Sequence, residues 1–289
     1  MGLLDREEYI EQVYFFQTFR DRLKAGIATQ EILEKLDQEI LSTTKLPLAI
    51  QFLCTEVKHS GYLASGFECL PHYFTPFQAF IIRSTEMVKL KFNMDLGMQI
   101  LEKQAQFLAK EPSQAGLFVF QFETISRNRL GYVEGLQAMA KDRFFSANWS
   151  EFIEFTSRHI GEVEFAQLVF LRSEYYVQTQ RRENPKYEPP LAPLFFEKEG
   201  KIARANLGKD PFFLFAALQR QLNYPLVPRH IPSDTQEKEL LQVNQNKLKD
   251  LEMRIKLLEA EMRGNIDLQE FGKPLLLEPE FKDEPGLAN

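Results

Sequence analysis

Apolar residues recur at spacings of three and four along the first 180 or so positions, the period of a helix that buries one face. Tyr9, Val13, Phe16 and Leu23 make the first series. Asp5 and Glu8 stand ahead of it as a capping box, with Leu4 against Tyr9 as a staple, and together they predict a helix from Arg6 to Lys24. Thr29 can cap a second helix carrying Ile32, Leu36 and Ile40, and Pro47 can open a third that stops at Gly61. Thr75-Pro76-Phe77-Gln78 is the strongest local signal: an N-cap, then Pro at the first helical position and Gln at the third, predicting a helix from Pro76 onward. A further pattern runs from Asp95 to Lys110 until Pro112 interrupts it. Ser113 to Ala140 then reads as one central buried helix, in which Gly116, Gly131 and Gly135 cost propensity unless a neighbouring backbone comes close. Asn148 with Glu151 suits the next cap, and Val163, Ala166, Phe170, Ser173 and Val177 carry the pattern to near Arg182.

The pattern changes after residue 183. Four prolines between Asn184 and Pro193 disfavour helix and sheet pairing alike, which predicts a rigid connector and a domain boundary. Leu194 to Ala205 fits a small hairpin about Glu199-Gly200 and fits a helix almost as well; Asp210-Pro211 starts a short apolar helix through Leu222. The division expected is a helical body over 1–183, a connector with a short helix over 184–232, a coiled coil over 233–263 and an acidic irregular tail over 264–289. The fold class expected is all-α: a multi-helix bundle, a Pro-rich connector, a small mixed segment and a C-terminal coiled-coil helix.

The coiled coil follows from a heptad seam. After Ser233 and Gln236 as a capping box, Leu241, Leu248, Ile255 and Met262 fall at a positions, with Asn244, Leu251 and Leu258 at d. Lys247 and Arg254 then occupy g, and Glu252 and Glu259 occupy e. A parallel, in-register pair of chains sets Lys247 against Glu252 and Arg254 against Glu259, whereas an antiparallel pair sets Glu against Glu. Exposed ion pairs contribute only a few tenths of a kcal/mol, so charge selects the orientation and burial of the apolar seam supplies the stability. The competing reading packs this helix on its own body, for which Leu240, Val243 and Leu257 offer apolar surface outside the seam.

Composition narrows the class of partner. At 289 residues the chain is long enough for a core that needs no disulfide or metal. Its 26 Phe against one Trp suit dry packing between helices, because Phe carries a large apolar area and no polar atom to satisfy. A net charge of -6 argues against broad nucleic-acid affinity, which needs a basic surplus on one face. Cys54 and Cys69, each with apolar neighbours, fit reduced core thiols. With an acidic start and no apolar run near the ~20 residues of a membrane span, a cytoplasmic protein is expected.

Candidate chemistry is sparse. Carboxylate-bridged metal sites in bundles use Glu-x-x-His because that spacing aims both ligands inward from one helix face. Glu56 and His59 fit one such unit, and Glu86, Glu123 and Glu134 offer further carboxylates, but a second Glu-x-x-His is missing and His59 also suits a helix C-terminus. Gly208-Lys209-Asp210 resembles a phosphate loop only superficially, since Ala203 stands where its first Gly is required. Lys198, Lys201, Arg204 and Lys209 form a basic cluster diluted by Glu197, Glu199 and Asp210. Cys69 lies near His72 without a motif that makes them a catalytic pair. No catalytic residue, resident metal or cofactor is therefore assigned. The leading expectation is a non-enzymatic interaction or scaffold protein that forms a homodimer through the coiled coil and can hold a further protein partner. A helical metalloprotein and a small-molecule binder with a Phe-lined cavity are the alternatives.

Overall fold

The helical period in the sequence is realised throughout the first part of the chain. α1 (Arg6–Lys24), α2 (Thr29–Leu36), α3 (Leu46–Ser60) and α4 (Leu63–Cys69) lead to α5 (Pro76–Glu86) and α6 (Met94–Leu108). α7 (Gln114–Arg127), α8 (Tyr132–Ala140), α9 (Ala147–His159) and α10 (Phe165–Leu171) follow. α11 (Glu174–Glu183), α12 (Glu197–Ala205) and α13 (Pro211–Leu222) complete the series. The structure, a computed structural model, describes residues 4–41, 43–87, 92–229, 247–248 and 251–255. It divides into one unit over residues 1–230 and a second over 231–289. Among the described residues the fold is all-α, with no strand and only two isolated bridges, Ile160 with Val163 and Ser173 with Phe195.

Within the first unit α1 packs along α6, α2 along α3, and α4 along α5; α8 joins this half to the other by touching both α5 and α9. The second half wraps α9, α10, α12 and α13 around α7 and its neighbours, and its centre is aromatic. The Phe118 ring lies 5.3 Å from Trp149, 5.4 Å from Phe152 and 6.2 Å from Phe195, while Phe122 stacks on Phe165 at 4.0 Å. Aromatic pairs in such tilted and offset arrangements add about 0.5–1.5 kcal/mol beyond the area they bury.

Several sequence expectations need correction. The single helix expected over Ser113 to Ala140 is two. Arg129 takes a left-handed backbone (φ 53°), and the Leu130 N–H reaches back to the Ile125 carbonyl, the helix-ending pattern usually given to Gly. Gly135 is needed one turn into α8, because a Cβ there would lie 2.6 Å from the Ile125 side chain. The run from Val163 to Val177 breaks at Ser173, whose hydroxyl accepts the Tyr176 N–H to cap α11. Ser146, not Asn148, occupies the N-cap position of α9. The hairpin reading of Leu194 to Ala205 is wrong: Glu197–Ala205 is helical, and Gly200 lets α12 press its backbone against Ser173 and Tyr175. α4 was not expected. Asp5 stands at the N-cap of α1 but its side chain makes no cap hydrogen bond. Cys54 is buried as expected, whereas Cys69 is exposed; both are free thiols.

The proline-rich stretch after α11 returns to the body by a short backbone clasp. Leu194 and Phe195 donate to the Arg172 carbonyl at 2.8 and 3.1 Å, and Glu174 N–H donates to the Phe195 carbonyl at 2.9 Å. The clasp delivers the Phe195 ring into the aromatic centre beside Trp149.

In the second unit residues 247, 248 and 251–255 are helical. Leu248, Leu251 and Ile255 of the seam are exposed there by 59, 53 and 54%. The seam residues Leu241, Asn244, Leu258 and Met262, with Glu259, lie outside the described residues. Among those described, no helix is long and apolar enough to cross a membrane.

Candidate functional site: a cleft at the amino end of the first helix

Leu4, Glu8 and Gln12 follow one another at four-residue spacing, so the start of α1 and the residue before it present them along one face. Opposite them lie the first turn of α3 and the loop joining α4 to α5, and between these elements opens a cleft of about 530 Å³. That volume is within the range of small-molecule sites. Its walls include Leu4, Leu48, Phe52 and Leu70; its polar floor is Glu8 with Tyr73.

Glu8 is only 6% exposed, and both of its oxygens are engaged. One accepts the Lys45 backbone N–H at 2.7 Å, at the amino end of α3, and the other accepts the Tyr73 hydroxyl at 2.8 Å. The helix end favours a carboxylate there, and the tyrosine satisfies what remains. Burial, then the hydrogen bond to Glu8, pushes the Tyr73 hydroxyl well above its ordinary range, so it stays a donor. Glu8 therefore ties α1, α3 and the α4–α5 loop together and does not serve the capping box expected of it.

A narrower crevice shares Leu4, His72 and Tyr73 with this cleft and runs between α1, the loop ahead of α5, the end of α6 and the turn after α8. Its volume is about 40 Å³. Thr75 heads α5 with the capping box read from sequence: its hydroxyl accepts the Gln78 N–H at 3.2 Å, and the Gln78 side-chain oxygen accepts the Thr75 N–H at 2.9 Å. The Gln78 amide nitrogen then donates to the Gln12 side-chain oxygen at 3.1 Å. Asp142, 3% exposed, accepts the Phe144 N–H at 3.0 Å through Oδ1 and lies beside Gln121 and Thr75. Burial raises its pKa, against the Phe144 N–H and the flanking side chains, which lower it. Tyr9, across the crevice, is pushed up to about 12, by burial first and then by the charge of Asp142.

The residues singled out from sequence do not assemble here. Glu56 is half-buried and His59 exposed on α3. Glu86 accepts the Leu63 and Ala64 N–H groups at 2.6 and 3.2 Å and so caps α4. Glu123 pairs with Arg127 and accepts the Tyr224 hydroxyl at 2.6 Å, while Glu134 is exposed. Among the described residues no group of three or more His, Cys, Asp or Glu side chains is arranged to hold a metal ion. Two members of the basic cluster are engaged locally, Lys201 on Glu197 at 2.6 Å and Arg204 over the Phe170 and Tyr175 rings. Asp210 accepts the Phe212 N–H and caps α13. Of the earlier candidates only His72 lines the cleft, and Cys69 is not among its lining residues.

Sequence reasoning passed over Gln12 and Asp142, and read Glu8 and Gln78 only as capping residues. The signal for the first lay between Tyr9 and Phe16, where a glutamine interrupts an apolar face; nothing local marks Asp142.

The fold and cleft define a class, an all-α protein with a hydrogen-bonding crevice under its first helix. No protein-family model, no curated protein and no solved structure matches the chain.

Proposed function

We propose that the chain is a non-enzymatic interaction or scaffold protein, in which the C-terminal helix pairs two copies in parallel and the helical body stays free to engage a further protein. The observation that carries this reading is the exposure of Leu248, Leu251 and Ile255, three consecutive seam positions on helical backbone, each more than half exposed. Apolar side chains repeated at heptad positions are stabilised by removal from water, at about 25 cal/mol per Å² buried, and a matching ridge is the surface that removes all of them at once. Charge complementarity favours a second copy as the occupant, since Lys247 and Arg254 fall opposite Glu252 and Glu259 only in the parallel register. The chemistry of the body is consistent with this reading, because its carboxylates cap helices and join elements.

The test is the mass of the full chain by light scattering beside a Leu251→Asp/Ile255→Asp variant. The reading expects a dimer that the double substitution converts to a folded monomer. A monomeric parent chain, or a dimer indifferent to the substitutions, overturns it.

A further inference from the structure

Between Tyr187 and Leu194 the chain makes an arc held only at its ends. The Tyr187 carbonyl accepts from Arg181 Nε at 3.1 Å, and the Leu194 N–H donates to the Arg172 carbonyl at 2.8 Å. Among the described residues, the six in between, Glu188 to Pro193, make no backbone hydrogen bond. Pro190, Leu191, Ala192 and Pro193 are exposed, Leu191 by 49%, and the chain bends at Pro190 and Leu191.

The prolines set the conformation of this arc. Their rings fix φ at about −65° in Pro189, Pro190 and Pro193. Glu188, Pro189 and Ala192 each precede a proline and are turned away from helical backbone. Leu191 alone is bound by neither restriction. Reaching from α11 to the clasp requires neither this stiffness nor a leucine turned to solvent at the bend.

The functional groups of the arc say what can meet it. Three of its six residues have no N–H, while all six carbonyls are unengaged among the described residues, so it is rich in acceptors and poor in donors. Its side chains offer proline rings and one leucine, which are stabilised by a flat apolar face. Trp and Tyr join such a face to an N–H or O–H donor in one side chain. We propose that this arc is the docking element of the body, taken by a partner protein through a short groove lined with Trp and Tyr, with Leu191 entering an apolar pocket beside it. Aromatic-lined grooves are a recurrent receptor for proline-rich segments. The bend makes the matching groove a short one, in place of an extended channel for a straight polyproline helix. Fixed ends and fixed torsions lower the entropy lost on docking, which favours binding through so small a contact. The proposal rests on the reading of the chain as an interaction protein, whose further partner it describes, and does not require the pairing of helices.

The test adds a panel of purified WW domains, small modules with aromatic-lined grooves, to the nitrogen-15-labelled full chain and follows the amide signals of Leu191 and Ala192. At least one domain is expected to shift both signals saturably and to be displaced by a polyproline peptide. Pro190→Ala and, separately, Leu191→Asp change exposed positions, and each is expected to weaken that binding about tenfold. No saturable shift with any domain, a shift that the polyproline peptide leaves in place, or binding indifferent to either substitution overturns the proposal. The Leu251→Asp/Ile255→Asp variant is expected to bind with the same affinity per arc as the parent chain. A failure of helix pairing therefore leaves this result standing, and the two readings fall separately.

Discussion

The two halves of the first unit are built on opposite chemical plans. Around α7, α9, α10 and α13, Phe118, Phe122, Phe152, Phe165 and Phe215 meet ring to ring, with no polar atom to satisfy. Around α1, α5 and α6 the interior admits Gln12, Gln78 and Gln104, each 1% exposed or less, and Asp142 stands at their edge. The first plan draws stability from area and contact, and any loss of volume is felt at once. The second sets some stability aside for a polar interior, since neither the oxygen nor the nitrogen of the Gln104 side chain on α6 makes a hydrogen bond of normal geometry. Function is better sought where a fold tolerates such cost than where it packs most tightly.

Three substitutions sharpen or break this contrast. The largest effect is expected in the aromatic half. Phe122→Ala removes the ring stacked on Phe165 and should lower stability by about 3–5 kcal/mol in urea denaturation, and a loss below 1 kcal/mol would mean that this half is not the packed anchor described here. In the polar half Thr75→Ala removes one arm of the capping box and releases Gln78, with an expected loss of about 1 kcal/mol. A loss matching that of the phenylalanine would erase the distinction between the halves. The smallest effect belongs to Asp142→Asn at low pH, where acid and amide are both neutral. Burial raises the Asp142 pKa above its usual 3.8, so the favourable proton is fully held below that value and lost as pH rises through the raised one. Denaturation midpoints from about pH 3.5 to 8 should therefore coincide at the acid end and separate upward in favour of the Asn variant. Parallel curves would show that Asp142 does not bear a buried charge.

How much of this was legible in the sequence depended on distance along the chain. The Thr75 capping box appears in the structure with both arms, because four adjacent residues contain all the groups it needs. The all-α class was legible from periodicity, and the dry half from the abundance of Phe. The break between α7 and α8 was not, since it rests on Arg129 adopting a left-handed conformation that its side chain disfavours, while Gly131, two residues on, keeps a negative φ. The hairpin reading failed because Gly200 serves a close approach to Ser173, and a glycine needed for packing looks the same in sequence as one needed for a turn. The crevice was invisible for a simpler reason: Gln12 and Asp142 come from elements separated by most of the folded unit, and a polar residue on an apolar face announces burial without saying what it will meet.

The clasp that returns Leu194 and Phe195 to Arg172 and Glu174 separates covalent continuity from structural integrity. With Phe195 seated among the rings and α11 capped on its own account, the ten residues from Asn184 to Pro193 form a closed handle whose two roots are held by the body. A protease cut or an inserted peptide in that handle leaves both roots anchored, so the chain can be nicked or lengthened there without dismantling what it connects.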